Sequence, residues 1–352
     1  MSNKRRRKSS RSYGLTRLKH ILIVIGTSLL FLIVAVFVAC LILFKGPSET
    51  AKKEWVSTFH EMSAMKWLPG LFLSSDEIDE ILDANKMVEV DDGTVTNLDL
   101  IDTTSIDSSS EQEAIEIIDV SGSSYKGKLM IVRDPSKVFL GTVPEFYEGT
   151  GEVVADIMTH YPGVVAGVNG GDFVDMGSYS YTAQPLGAII SNGEVVYNQY
   201  GDNDMVYHLS GFTNDNKFFM GNISVNEALE MGVRDAVYTV HETGPFLVMD
   251  GEALINEVPD SATYGGGKNP RTAIGQRADG SVLLLVIDGR QANSLGATFK
   301  DLAYIMLEYG AVNACAMDGG TSSQMIYYGE VINNPYSPTG PRKCPTAWLV
   351  YE

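Results

Sequence analysis

Two kinds of hydrophobic pattern divide this chain. The first is a single uncharged run from Ile21 to Phe44, built mostly from Leu, Ile, Val, Phe and Ala. As an α-helix its 24 residues extend about 36 Å at ~1.5 Å per residue, more than the ~30 Å hydrocarbon thickness of a bilayer. It is also longer than the apolar part of a cleaved signal peptide. The run therefore predicts one transmembrane helix.

The second pattern is a series of short apolar runs, typical of buried strands, which begins near Ala114 and continues to the C-terminus. The predicted strands are Ile115–Val120, Lys128–Val132, Gly163–Val168, Leu186–Ile190, Val206–Leu209, Ala236–Val240, Val282–Ile287, Val312–Met317 and Ala347–Tyr351. The predicted helices are Val153–Tyr161, Val225–Met231 and Thr298–Tyr309. Helices and strands alternate too rarely for a doubly wound fold. We therefore expect an α+β fold with a mixed, largely antiparallel β-sheet and few helices.

Residues 45–112 separate the two patterns and are predicted to form an extracytoplasmic stalk and linker. Glu49 to Trp67 is expected to contain a helix leaving the membrane. Ser75 to Asn85 begins with an N-cap residue and acids in its first turn, which predicts a short helix. Asp91 to Gln112 is rich in Asp, Ser and Thr, as linkers are. Residues 113–352 then form the globular domain, long enough for one core.

Charge is distributed unevenly along the chain. Residues 1–20 contain eight Lys or Arg and no acid, so this tail is expected in the cytoplasm and the rest of the chain outside it. Excluding those eight, 18 basic residues stand against 44 acidic ones, so the remainder carries about −26. That charge argues against nucleic acid as a partner. An anionic substrate would need a local group of arginines.

Cysteine use suggests no metal centre. Cys40 lies in the apolar run, which leaves Cys315 and Cys344 outside the membrane, where a disulfide and two buried free thiols are both compatible with the spacing. There is no CxxC and no His/Cys cluster, which argues against structural zinc.

Three apolar runs share an ending in which a polar residue is followed by glycine. VVAGVNGGDF contains Asn169, Gly170 and Asp172, SVLLLVIDGR contains Asp288 and Arg290, and ACAMDGGTSSQ contains Asp318, Gly319, Gly320, Thr321 and Ser322. Each could be a tight turn with an Asp cap. Three buried strands with the same ending fit the rim of one ligand pocket better than three unrelated turns.

Two further stretches add cations and amides. Pro270 stiffens KNPRTAIG before Arg271 enters a strand, and Asn333, Asn334 and Arg342 precede the last strand. The arginines at 271 and 290 could alternatively pair with carboxylates on the sheet. Asn333 could simply shape the turn before the next proline.

The ordered set NGGDF, HETGPFLVMDG, NPRTAIG, LLLVIDGR, MDGGTSS and VINNPY followed by PRKCPTA closely resembles the phosphodiester glycosidase family. Many bacterial relatives in that family carry the label exopolysaccharide biosynthesis protein. The resemblance covers about residues 115–352. It implies cleavage of the bond between a sugar's anomeric carbon and a phosphate esterified to a second group.

That reaction suggests roles for the residues. A phosphate monoester leaves more readily than an alkoxide, so cations matter more than strong acid catalysis. We expect Arg271, Arg290 and Arg342 to hold the phosphate, since guanidinium forks match its oxygens. Asp318 and Asp288 are the catalytic candidates, as nucleophile or general base. The remaining substrate-binding candidates are Asn169, Gly170, Asp172, Gly319, Gly320, Thr321, Ser322 and Asn333.

One residue departs from the family pattern. Asp172 stands where an aromatic residue is expected, with Phe173 next. If Asp172, Asp288 and Asp318 converge, a bound Ca²⁺ or Mg²⁺ becomes plausible, although the sequence requires no cofactor and leaves the metal unassigned.

Two classes of function therefore stand. The first is a membrane-anchored extracytoplasmic hydrolase acting on phosphate-linked glycans of the cell wall or an exopolysaccharide. The second is a non-catalytic glycan-binding protein on the same scaffold. Transfer of the sugar to another acceptor would use the same site as hydrolysis.

Overall fold

The computed structural model describes residues 3–62, 64–104, 113–176, 179–255, 265–337 and 340–352, with side chains from residue 17 onward. The α-helices in these ranges are α1 Asn3–Lys45, α2 Glu49–His60, α3 Ser75–Asp83, α4 Val154–Thr159, α5 Val225–Glu230 and α6 Phe299–Glu308. Within α1, Arg17–Lys45 is long and apolar enough to cross a membrane, as a signal anchor or a signal sequence. The predicted apolar helix is therefore present.

Strands dominate the rest of the described chain. They are β1 Ile115–Ser121, β2 Lys126–Val132, β3 Val138–Thr142, β4 Val164–Asn169, β5 Phe173–Asp175, β6 Ser180–Pro185, β7 Ala188–Ser191, β8 Glu194–Asn198, β9 Val206–Thr213, β10 Phe218–Ser224, β11 Val233–Tyr238, β12 Phe246–Met249, β13 Glu252–Ala253, β14 Arg271–Arg277, β15 Val282–Asp288, β16 Ala311–Met317, β17 Met325–Tyr327, β18 Glu330–Val331 and β19 Thr346–Tyr351. The strand pairs within the described residues are antiparallel. The predicted α+β fold with largely antiparallel sheets is confirmed.

The strands form three main sheets and one hairpin. The largest has the order β1-β2-β15-β14-β16-β12-β13. The other two are β10-β9-β11-β7-β8 and β18-β17-β4-β19-β3, while β5 pairs with β6. One central apolar cluster takes side chains from all three sheets, including Met130, Phe212, Ile274 and Trp348.

The seven-stranded sheet is buried on both faces, which explains the uninterrupted apolar run of β15. Leu284 and Val286 point into the central cluster, whereas Leu283 and Leu285 pack beneath α6. Alternate side chains of a strand leave opposite faces of its sheet, so a strand covered on both sides needs apolar residues throughout.

Helix α6 covers one of those faces because its own sequence specifies both its ends and its apolar face. Thr298 and Asp301 form a capping box at its start. Leu302, Ile305 and Met306 project from one side into the cluster beneath it. The helix ends before Gly310, whose φ of +85° lies in the left-handed region that glycine tolerates.

The segment between α1 and β1, called here the connecting segment (residues 46–62 and 64–104), packs on the rest of the protein. α2 ends at His60, earlier than the Trp67 end expected from sequence. Further along, Val95 forms an antiparallel bridge with Gly221 at the β10 edge. The Asp102 amide donates to the carbonyl of Ala278 (2.9 Å). The first part of the predicted linker is thus held by the sheets; residues 105–112 lie outside the described residues.

We predict that Trp348→Ala lowers the free energy of unfolding by about 3–5 kcal/mol, because it would leave a large cavity in the central cluster. Trp348 is fully buried, contacts the Phe212 ring edge to face with centroids 5.6 Å apart, and donates its indole N–H to Met317 Sδ. Urea denaturation would measure the change. Val196→Ala, at a side chain 43% exposed, is the control and should change stability little. Equal effects of the two variants would contradict this account of the core.

Candidate functional site

Three strand ends of the seven-stranded sheet meet at one edge. β14 is antiparallel to both neighbours, so its first residue, Arg271, lies beside the end of β15, and Thr272 lies opposite Met317 at the end of β16. Asp288 is the last residue of β15, and Asp318 follows β16. The strand register alone brings one predicted arginine and both predicted catalytic carboxylates to the same edge.

Asn169 joins this edge to the sheet that contains β4. It is fully buried, its Nδ2 donates to the Asp318 carbonyl oxygen (2.6 Å), and its Oδ1 accepts from the Thr272 hydroxyl (2.8 Å). The Asp318 amide in turn donates to the Gly170 carbonyl (3.2 Å). These contacts favour a positioning role for Asn169. The sugar contact expected from sequence stays a prediction.

Asp318 lies in a strongly desolvated environment. Its Oδ2 is shielded from solvent and has no hydrogen-bond partner among the described residues. Burial, followed by the charge of Asp172, raises the pKa of Asp318 from 3.8 to about 8; Ser322 and Arg342 oppose that rise. Ionising a buried carboxyl beside a second carboxylate is unfavourable. Asp318 therefore holds a proton at neutral pH.

Asp172 is the second member of this carboxyl pair. Burial raises its pKa from 3.8 to about 6, and two hydrogen bonds that stabilise its charge oppose that rise. The Val240 amide and the Thr243 hydroxyl both donate to its Oδ2, at 2.6 and 3.2 Å. The residue that departs from the family pattern is thus the electrostatic partner of Asp318.

Two arginines lie close together beside the pair. The pKa of Arg290 is lowered by burial first and by the charge of Arg271 second. Its Nε donates to Asn269 Oδ1 (3.1 Å), and its terminal nitrogens make no hydrogen bond within the described residues. Arg290 has a φ of 58°, uncommon for a residue with a side chain. Strained backbone of this kind clusters at functional sites.

Arg271 is held by a carboxylate that the sequence did not predict. Its NH2 donates to Glu61 Oε2 (2.5 Å), and its guanidinium lies 3.8 Å from the Phe299 ring centroid. The other contacts of Glu61 are with the Gly267 amide (2.7 Å) and Asn269 Nδ2 (3.0 Å). Glu61 comes from the connecting segment, 210 residues away in sequence from Arg271. Arg271 thus pairs with a carboxylate, but the partner lies in the connecting segment and not on the sheet, where the alternative reading of the sequence placed it.

Arg342 lies in the loop before β19 and contacts the β5–β6 hairpin. Its NH2 donates to Asp175 Oδ2 (2.6 Å) and to the Ser180 hydroxyl (2.8 Å), both on the β5–β6 hairpin. It also lies 5.2 Å from the Phe173 ring centroid. Because its charge lowers the pKa of Asp318, it belongs to the same electrostatic neighbourhood.

The predicted glycine turn forms the floor of the site. Gly320 has a φ of +65°, and a Cβ on it would lie 3.3 Å from the Arg290 guanidinium. Its amide donates to the Pro270 carbonyl (2.9 Å), and the Ser322 amide donates to that of Gly319 (3.2 Å). The turn continues through the half-buried Thr321. Close approach of an arginine therefore requires glycine here.

Asp288 and Asn333 are bound to each other. Asp288 Oδ1 accepts from Asn333 Nδ2 and from the Asn334 amide, both at 2.9 Å. Asn333 Nδ2 also donates to the Ser323 carbonyl (3.2 Å). These contacts hold the loop before the last strand against the site. The proposed catalytic role of Asp288 stays a prediction.

The structure also bears on metals and thiols. No group of three or more His, Cys, Asp or Glu side chains that could hold a metal ion occurs within the described part of the chain. Of the three predicted carboxylates, Asp172 and Asp318 interact electrostatically, whereas Asp288 is hydrogen-bonded to Asn333 and to the Asn334 amide.

Cys315 and Cys344 are buried free thiols, and burial raises the pKa of both.

Comparison with known proteins identifies the family. A profile described as phosphodiester glycosidase matches residues 162–351, more than half of the chain. The chain belongs to the phosphodiester glycosidase family. The match includes every predicted site residue from Asn169 to Arg342. Glu61 and the connecting segment lie outside it.

Curated relatives of this chain are distant or matched over short stretches. Mouse N-acetylglucosamine-1-phosphodiester alpha-N-acetylglucosaminidase is 24% identical over 227 residues, which cover 61% of this chain and 42% of that protein. An uncharacterized SPbeta prophage-derived protein of Bacillus subtilis (strain 168) is 46% identical over 67 residues, 19% of this chain and 10% of that protein. The matched part of the chain thus spans less than half the length of these relatives.

The phosphodiester glycosidase fold is also found in a solved structure. The catalytic domain of zebrafish N-acetylglucosamine-1-phosphodiester alpha-N-acetylglucosaminidase, in a form auto-inhibited by its pro-peptide, aligns with a TM-score of 0.54. The alignment covers 69% of this chain and 85% of that chain at 23% identity. At this identity the likeness establishes the fold alone.

We predict that Asp318→Asn raises the melting temperature, and raises it more at about pH 8.5 than at about pH 5. The pKa of Asp318 is about 8 in the folded state against 3.8 ordinarily, so between those values the folded state binds more protons than the unfolded state. Stability therefore falls as pH rises through this window, and the amide removes that loss.

Calorimetry of the full chain at both pH values would measure the shifts. Asp215→Asn, at an exposed carboxylate, is the matched control and should shift both melting temperatures alike. The assignment would be wrong if the Asp318 and Asp215 variants had the same pH dependence.

Proposed function

We propose that this phosphodiester glycosidase hydrolyses the bond between a sugar's anomeric carbon and a phosphate esterified to a second group. The observation that carries the proposal is the buried pair of Asp172 and Asp318, whose pKa values are raised to different extents beside the arginines. Two carboxyl groups whose environments separate their pKa values are suited to act as a base and an acid.

The separation of pKa values supports a division of roles. At pH 7 Asp172, with a pKa of about 6, is mostly ionised, whereas Asp318, with a pKa of about 8, is mostly protonated. In the proposed step, Asp172 takes a proton from the attacking water as its oxygen bonds to the anomeric carbon. Asp318 gives its proton to the phosphate oxygen as the carbon–oxygen bond breaks. The products are the free sugar and a phosphate monoester.

This division changes the role suggested for Asp318. The sequence favoured it as nucleophile or general base, before its burial was known. Because burial and the neighbouring charge keep the proton on Asp318, the acid role suits it better and the base role suits Asp172.

The arginines supply the charge that the leaving phosphate needs. Arg290 is the best placed to contact phosphate oxygens directly, because its terminal nitrogens are not used by the described residues and face the Gly320 turn. Arg271 is hydrogen-bonded to Glu61 and contributes its positive charge beside Arg290. Arg342 lies near Asp318, and its positive charge acts on that carboxyl.

We further propose that α1 anchors the protein, with the basic tail in the cytoplasm and the glycosidase domain outside. The apolar helix and the eight basic residues before it support this orientation. A phosphate-linked glycan of the cell wall or an exopolysaccharide is then the substrate class that the location offers.

The first test is release of sugar from synthetic N-acetylglucosamine-1-phosphodiesters and a small panel of other sugar-1-phosphodiesters. The full chain in detergent micelles would be compared with Asp318→Asn, with and without a chelator. Loss of the positioned proton donor is expected to lower kcat about 10²–10⁴-fold. The control, Asp215→Asn, should keep full activity.

The outcomes of that assay are distinct. Sugar–acceptor products in place of free sugar would identify a transferase using the same pair. Binding of the whole panel without turnover by the native chain would support the glycan-binding alternative and contradict the proposal. Loss of activity on chelation would add a metal requirement.

The pH dependence is a separate prediction. kcat/KM should follow a bell with its acidic limb near pH 6 and its alkaline limb near pH 8, since Asp172 must be ionised and Asp318 protonated. In the residual activity of Asp172→Asn the acidic limb should disappear, and in that of Asp318→Asn the alkaline limb. If both limbs survived in both variants, the pair would not be the titrating acid and base.

A further inference from the structure

A large cleft separates the connecting segment from the glycosidase domain. Its volume is about 1120 Å³. His60 and Trp67 line one wall, and His241 and Phe299 line the other. Pockets for small ligands usually measure about 300–1,000 Å³, so this cleft has room for more than one sugar ring. Sequence analysis assigned no role to it.

The cleft reaches the proposed catalytic groups through their immediate partners. Glu61, Thr243 and Asp175 all line it. These three residues bond Arg271, Asp172 and Arg342, respectively. A chain of sugars lying in the cleft would therefore continue directly into the carboxyl and arginine site.

The groups that line the cleft suit carbohydrate. Trp67 is 59% exposed, and its indole N–H donates to the Ala64 carbonyl (3.0 Å), which holds an aromatic face at the opening. Ser57 is 1% exposed, and its Oγ has no hydrogen-bond partner among the described residues. Sugars offer both apolar ring faces for stacking and hydroxyls that pair with such groups.

The charge of the residues that line the cleft further restricts the class of ligand. Five carboxylates and two lysines line it: Glu61, Asp79, Asp83, Asp175, Glu242, Lys66 and Lys86. Three of these carboxylates are paired, Asp83 with Lys86 (2.9 Å), Glu61 with Arg271 (2.5 Å) and Asp175 with Arg342 (2.6 Å). Asp79, Glu242 and Lys66 remain, so the lining keeps a small excess of negative charge, which favours a neutral sugar chain over a polymer with a phosphate on every unit.

We propose that the cleft binds a neutral oligosaccharide part of the substrate, so that the connecting segment forms half of the glycan-binding site. This inference rests on the proposed function for its link to turnover, but the binding itself can be tested without any turnover.

The binding test uses neutral tetrasaccharides, namely chitotetraose, cellotetraose and maltotetraose, with the full chain in detergent micelles. Trp67 is more exposed than the buried Trp348 and the half-buried Trp55, so acrylamide quenching of tryptophan fluorescence reports mainly on Trp67. At least one tetrasaccharide should reduce the quenching, and isothermal titration calorimetry should show that Trp67→Ala weakens the binding of that tetrasaccharide. Tyr328→Ala, at an aromatic residue equally exposed (59%) and not among those lining the cleft, should leave it unchanged.

The turnover test compares two N-acetylglucosamine-1-phosphodiesters, one esterified to methanol and one to the bound tetrasaccharide. Trp67→Ala should raise KM about fivefold to tenfold for the tetrasaccharide ester only, with kcat and the methyl ester unaffected. Failure of both esters to react, with protection of Trp67 retained, would reject the hydrolase and keep the cleft assignment.

The assignment would be overturned if no tetrasaccharide protected Trp67. It would equally be overturned if a phosphodiester-linked tetramer of N-acetylglucosamine-1-phosphate bound more tightly than the neutral chains. A Trp67→Ala variant with the melting temperature of the native chain ensures that its weaker binding does not reflect unfolding.

Discussion

The side-chain amide of Asn169 is the interaction on which the site most depends. A buried amide that lost its partners would cost about 1–3 kcal/mol per unsatisfied group, so its geometry is strongly constrained. Through bonds to the Asp318 carbonyl and the Thr272 hydroxyl, it connects the end of β4 to the ends of β14 and β16. Two sheets are thereby held in one register where their polar ends meet. The same junction positions Asp318, whose pKa responds to the charge of Asp172.

The site concentrates groups that would destabilise an ordinary core. Two desolvated carboxyls repel each other, and burial, followed by the charge of Arg271, lowers the pKa of Arg290, whose backbone has a positive φ. Such unfavourable features persist only where the surrounding structure is strong enough to maintain them. Here that support comes from the largely buried strands β14, β15 and β16 and from the apolar clusters on either side of their sheet. The chemical result is that Asp172 and Asp318 have different pKa values.

The connecting segment contributes side chains to the candidate site. Lys268 pairs with Glu54 (3.1 Å), and its amide donates to the Thr58 hydroxyl (3.1 Å), so α2 lies against the stretch that leads to Arg271. Glu61 then completes the contacts of that arginine. Because the same segment forms one wall of the cleft, its attachment to the domain determines the shape of the space beside the candidate site.

The sequence by itself determined the apolar helix, the class of fold and the stretches that form the site, because burial and turn chemistry are encoded locally in apolar runs and in glycine after a polar residue. It could identify Asp318, Asp172 and the arginines, but not their protonation or partners. Glu61 gave no local signal, since its role arises from a contact across 210 residues. In the sequence, the strands ending at Asp288 and before Asp318 have the same pattern. In the structure, Asn333 and Asn334 donate hydrogen bonds to Asp288, whereas burial keeps a proton on Asp318. Those differences were decided by the tertiary structure, because desolvation and charge–charge interactions depend on distances in space.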